Sequence, residues 1–60
     1  MKLIEIITLG GGTAFVPIQK IQSLFVSSEK SYYIFLGNDY IEVSKEQFYK
    51  VKEELEKWKN

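Results

Sequence analysis

"SYYIFLGNDYIEVSKEQF", Ser31 to Phe48, carries a strand, a two-residue turn, a second strand and the start of a helix in one uninterrupted run. Gly37 followed by Asn38 suits a type II′ hairpin, in which the first central residue needs positive φ and the twist matches that of the flanking strands. A two-residue loop then pairs Leu36 with Asp39, Phe35 with Tyr40, Ile34 with Ile41, Tyr33 with Glu42 and Tyr32 with Val43. Side chains alternate across a strand, so Ile34, Ile41 and Val43 share one face with Tyr32. Tyr33, Phe35, Tyr40 and Glu42 share the other. The first set is the expected core, and the second is an aromatic face carrying a carboxylate.

The run continues into "SKEQFYKVKEELEKWK", predicted to be a helix over about residues 45–58. Ser44 followed three residues on by Gln47 is a capping-box pattern, in which the Ser oxygen takes an orphan N–H and Gln47 reaches back. Phe48, Val51, Leu55 and Trp58 fall in one stripe, while Glu46 with Lys50 and Glu53 with Lys57 are spaced for ion pairs on the exposed side. That stripe must cover a sheet face.

Upstream lie three further strands. "KLIEIITL", Lys2 to Leu9, is dense in Ile and bounded by glycine, which predicts a strand buried on much of both faces. "AFVPI", Ala14 to Ile18, is a second strand, where Pro17 marks a sheet edge or a bulge because it cannot donate to a ladder. "KIQSLFVSS", Lys20 to Ser28, is a third. The fold class expected is α+β: one domain over residues 1–60, a small antiparallel β-meander of about five short strands within residues 2–43, and one C-terminal amphipathic helix.

Composition narrows function. A chain of 60 residues buries only part of its surface, and with no Cys and no His it lacks disulfides and the common zinc ligand sets. Self-association is the stabiliser left to a small scaffold, so a homo-oligomer is expected. All eight basic residues are Lys, balanced by eight acids. The absence of Arg argues against a DNA or RNA reader, which uses Arg for bidentate recognition. Glu5 interrupts the apolar N-terminal run, against a signal peptide, and no stretch approaches the length of a membrane span. The expected location is the cytoplasm, without membrane contact.

"TLGGGTAFVP", Thr8 to Pro17, is the one stretch that looks chemical. A phosphate loop needs a Lys and a following helix; these glycines feed a strand containing proline, which reads as a hairpin turn. The alternative is an anion-binding nest of the Gly10, Gly11, Gly12 and Thr13 amides with the Thr13 hydroxyl, Lys20 supplying a positive charge. Catalysis has less to build on. Without His or Cys, a nucleophile would need Ser or Thr activated by Lys, and pairing Glu42 with Asp39 or Glu5 for acid–base work requires a water-excluding pocket. No catalytic residue, metal ligand or cofactor is therefore expected.

The aromatic residues carry more information, since four Phe, four Tyr and one Trp cannot all lie beneath one helix. Exposed apolar patches mark interfaces, and Tyr is favoured at protein contacts. Tyr33, Phe35, Tyr40 and Glu42 are the candidate partner- or ligand-binding residues.

The order of features resembles the FlbD-like and swarming-motility small proteins. Thr8-Leu9 ends a strand, Gly10 to Gly12 form a glycine turn, Phe15-Val16 and Ile21 to Leu24 follow, and Ile34 to Val43 form a strand–Gly turn–strand running into the helix at Ser44. The likeness spans about residues 4–50 and implies the fold. Two features depart from it: Gly11-Gly12 replaces the usual Asn-Gly, and "VPIQKI" lacks the Asn expected after the second strand. Small proteins of this shape also occur as phage and mobile-element accessories.

Two functions follow as expectations. One is a non-catalytic homo-oligomeric module that binds or inhibits a protein partner through the aromatic face. The other is a protein that sequesters a nucleotide-like small molecule between subunits, stacking its base on Tyr33, Phe35 or Tyr40 and its phosphates on the Gly10 to Thr13 amides and Lys20.

Overall fold

The computed structural model describes residues 2–59. In chain order these form β1 (Leu3–Ile7), β2 (Thr13–Pro17), a 3₁₀ turn (Ile18–Lys20), β3 (Ser23–Val26), β4 (Tyr32–Leu36), β5 (Asp39–Val43) and α1 (Lys45–Lys59). This is the α+β class read from the sequence, five short antiparallel strands followed by one C-terminal helix. The strands form two sheets, β1-β2 and β3-β4-β5, rather than one continuous meander.

The β4–β5 hairpin has the register set by its turn, from Leu36 opposite Asp39 to Tyr32 opposite Val43. Gly37 has φ of 80°, and the one described non-glycine residue with positive φ is Lys30, so Asn38 stays at negative φ as a type II′ turn requires. The inward face of this hairpin joins β1, β2 and α1 in a core of Ile4, Ile6, Val16, Ile18, Ile34, Val43, Phe48 and Val51. No polar side chain is buried among the described residues. Tyr32 closes this face, its ring 5.1 Å from that of Phe48.

Hydrogen bonds at the strand ends show which way each backbone group points. The Thr8 N–H donates to Gly12 O (2.8 Å) and the Ile18 N–H to Lys2 O (2.9 Å), both in register with the pairing of Ile4 with Val16. In an antiparallel pair such bonded positions alternate with positions whose N–H and C=O point away. The even-numbered residues of β1 therefore bond β2, and Leu3, Glu5 and Ile7 direct theirs outward. Pro17 likewise has its nitrogen turned away from β1, so its missing N–H costs no ladder bond.

In the strands and the helical stripe, three features depart from the sequence reading. β1 is buried on one face only: Ile4 and Ile6 are covered, while Leu3 and Ile7 remain exposed. With α1 on one side of the hairpin and no layer on the other, a half-solvated strand results. The third strand is shorter than Lys20 to Ser28 because Pro17, at φ −58° and ψ 133°, leads into the 3₁₀ turn. Ile18 is buried in that turn and Lys20 lies in it, outside any strand. Trp58, 48% exposed, stands apart from the core that Phe48, Val51 and the half-buried Leu55 pack into.

The helix start is capped on one side of the expected box. Ser44 Oγ accepts the Gln47 N–H (3.3 Å), and Ser44 O accepts the Phe48 N–H (3.0 Å). The Gln47 side chain does not reach back to Ser44; its Oε1 accepts the outward N–H of Ile7 at 3.2 Å. Farther along α1, Glu54 meets Lys2 at 2.9 Å, and among the described residues the i,i+4 pair that closes is Lys52 with Glu56 at 3.1 Å. The hydrogen bond from Lys2, reinforced by its charge, lowers the Glu54 carboxyl below the ordinary carboxylate range. Among the described residues no helix is long and apolar enough to cross a membrane.

Because Ser44 and Gln47 serve different donors, Ser44→Ala and Gln47→Ala are expected to destabilise additively. The Ser44 change costs about 1 kcal/mol, and a double-mutant cycle by urea unfolding gives a coupling below about 0.5 kcal/mol. A closed capping box would couple more strongly. For Glu54, the lowered carboxyl means that its pair with Lys2 stabilises the fold above the ordinary carboxylate range, and that this contribution is lost as pH falls through the lowered value. Lys2→Ala is expected to move the Glu54 carboxyl titration, followed by NMR, upward toward the ordinary range, with Lys57 and Lys50 still lowering it.

Candidate functional site

The II′ turn orients the rings. With Ile34 inward, its neighbours Tyr33 and Phe35 project from the outer face of the central strand, and the register sets Tyr40 opposite Phe35 and Glu42 opposite Tyr33. β3 adds Phe25 opposite Tyr33. The four rings form one connected cluster. Tyr40 lies 5.7 Å from both Tyr33 and Phe35, and Phe25 lies 6.3 Å and 6.2 Å from the same two. Two of these contacts, Phe25 with Phe35 and Tyr33 with Tyr40, are edge-to-face, each worth about 0.5–1.5 kcal/mol beyond burial. The cluster is nevertheless open to water, with Tyr40 62% and Phe25 51% exposed.

Phe25 is the member that sequence reasoning did not assign to this face. It belongs there because the Ser27 N–H bonds Ser31 O (2.9 Å), which closes the β3–β4 connection and fixes the pairing of Phe25 with Tyr33. The signal was the short polar "SSEKS" stretch, which allows such a closure; a turn of unspecified length leaves the register open.

The glycine stretch is a hairpin loop with its own internal bonds. The Gly11 N–H donates to Thr8 O (3.0 Å) and the Gly12 N–H to Thr8 Oγ1 (3.0 Å), so two of the amides proposed for an anion nest already have acceptors. The hydroxyl that organises the loop belongs to Thr8 rather than Thr13. Thr13 begins β2 opposite Ile7, and Lys20 lies beyond the far end of that strand, past Pro17. Gly10, Gly11, Gly12 and Thr13 are thus together, and Lys20 is not with them.

The loop does meet the aromatic hairpin. The Leu9 N–H donates to Glu42 O at 2.9 Å, tying the loop to the outer edge of β5. Thr8, Leu9 and Gly10 there face Tyr40, Ile41 and Glu42 across an open groove of about 510 Å³. The one charged side chain lining it is the Glu42 carboxylate, which repels a phosphate. Among the described residues no three Asp or Glu side chains gather as a metal site. A second exposed apolar surface, formed by Leu3, Ile7 and Phe15, lies on the outward face of β1-β2.

The chain matches no known family model, no characterised protein and no solved structure.

Gly11 has φ of 100°, a conformation in which a Cβ is strained, whereas Gly10 has negative φ and open space around its Cα. Gly11→Ala is expected to lose about 1 kcal/mol or more, and Gly10→Ala to be neutral or gain up to about 0.5 kcal/mol. Thermal unfolding of the two variants side by side checks the difference.

Proposed function

We propose that this chain is a non-catalytic interaction module that docks a protein partner on the outer aromatic face of β3-β4-β5. The observation that carries this reading is the single four-ring cluster of Phe25, Tyr33, Phe35 and Tyr40, held at fixed spacing by a rigid sheet yet left open to solvent. Rings constrained by a sheet lose little further entropy on binding, and Tyr contributes both apolar area and a polar tip. Glu42 beside the cluster adds one negative charge at its margin. A partner suited to this surface offers an apolar patch with a basic residue at its rim.

The nucleotide-sequestering alternative has less support. Its anion site draws on Gly11 and Gly12 amides that Thr8 already occupies, and the groove beside Tyr40 is lined by a carboxylate.

The test compares affinity capture by the wild-type chain with capture by Tyr33→Ala/Tyr40→Ala. Both variant positions lie outside the buried core, so the far-ultraviolet spectrum should stay that of a folded α+β protein. A partner retained by the wild type should bind the double variant at least about tenfold more weakly, the consequence of losing about 1.4 kcal/mol at an interface anchor. Equal retention by both proteins would overturn the proposal.

A further inference from the structure

The four outer strand edges of the two sheets are not equivalent. At the β1 edge, the outward Ile7 N–H is taken by Gln47. The β2 edge ends in Pro17, which offers no donor. At the β5 edge, the outward carbonyl of Glu42 accepts the Leu9 N–H. The β3 edge has none of these protections. Its sequence, "SLFV", holds no charge and no proline, although natural edges are commonly blunted by one or the other.

The orientation of its free groups follows from the neighbouring bonds. The Ser27 N–H bonds Ser31 O across the β3–β4 pair, so the odd-numbered residues of β3 point their backbone groups at β4 and Leu24 and Val26 point theirs away. Among the described residues no hydrogen bond outside the strand ladders engages Leu24 or Val26. Side chains add to the imbalance: Phe25 on the outer face is 51% exposed and Val26 on the inner face 41% exposed.

We infer that a second copy of this chain pairs with the β3 edge across a two-fold axis, joining the two three-stranded sheets into one. The strand is its own complement. A two-fold perpendicular to the sheet keeps like faces together, so directly opposed residues must come from the same face. Centring the axis at Phe25 sets Leu24 opposite the partner's Val26 at both ends, and each such pair exchanges two N–H···O bonds. Every outward group of Leu24 and Val26 is then satisfied. Phe25 meets the partner's Phe25 at the closer, non-bonded position, where side chains pack most tightly.

This register also covers what the isolated edge exposes. Val26 packs against the partner's Leu24, and the two four-ring clusters meet at Phe25 to form one aromatic band. Lys20 and Lys30, the nearest charges of like sign, stay off the ladder. One lies in the 3₁₀ turn and the other occupies the positive-φ position after β3. The pairing stands apart from the docking of a different protein on the ring face, because the rings of the joined sheet still face water.

Sedimentation of the wild-type chain across the micromolar range is expected to show a monomer–dimer equilibrium. Amide exchange measured over the same range should slow about tenfold at Leu24 and Val26, in proportion to the population paired, and change little at Phe25, whose amide is already bonded to β4. Phe25→Lys and Phe25→Glu should each be monomeric, because the axis sets like charges against each other, and an equimolar mixture should form a heterodimer. A wild-type chain that stays monomeric at high micromolar concentration overturns the inference. So does a dimer whose Leu24 and Val26 amides exchange as fast as in the monomer, the result expected if the aromatic faces stack instead. Loss of partner capture by Tyr33→Ala/Tyr40→Ala with the dimer intact would separate the two proposals.

Discussion

The two-residue turn at Gly37-Asn38 is the constraint on which the rest of the molecule depends. By setting Leu36 opposite Asp39, it decides that Ile34, Ile41 and Val43 face the helix and that Tyr33, Phe35 and Tyr40 face water. Slipping the pairing by one residue would exchange these sets, since side chains alternate with a period of two. The same turn also fixes which backbone groups of β4 serve β5 and which serve β3. Through that alternation it reaches the outer edge of β3, two strands away.

How the edges are closed explains much of the remaining architecture. The core has eight buried hydrophobic residues among those described, and two small sheets present more strand edge per residue than one large sheet would. Each protected edge uses a group that already has another position to fill: a helix residue for β1, a proline for β2, a loop amide for β5. Gln47 shows this economy most directly. Its backbone N–H is held by the cap at Ser44 while its side chain holds the first strand. The helix is thereby joined to β1 by a directional bond, to which the Lys2–Glu54 pair adds a second point of attachment.

The parts of this fold that were legible in the sequence are those dictated by local chemistry. Gly37-Asn38 specifies a turn type, Ser44 specifies a helix start, and the spacing of Phe48, Val51 and Leu55 specifies a buried stripe; each needs only a few neighbouring residues. The illegible parts depend on what packs against what. The Ile-rich β1 reads as buried on both faces, yet whether a second layer covers its outer face is a tertiary fact. The destination of the Gln47 side chain is likewise decided by a strand far away in sequence. For the candidate site, Tyr33, Phe35, Tyr40 and Glu42 follow from the hairpin register, whereas Phe25 requires the β3–β4 closure. The glycine amides looked free because the acceptors that occupy them come from Thr8, a residue with no mark in composition or spacing.

The bond between Gln47 and Ile7 also has a bearing on synthesis. Its two residues lie 40 positions apart, with the acceptor emerging last. At about 10 residues per second of translation, β1 and its apolar inner face, Ile4 and Ile6, precede their helical cover by about 4 s. During that interval the hairpin has an open amide edge and an uncovered inner face, the combination that favours association between incomplete chains. The aggregation hazard that lies at the inner face of β1 is therefore concentrated in the growing polypeptide, and that part of it ends when the C-terminal helix docks.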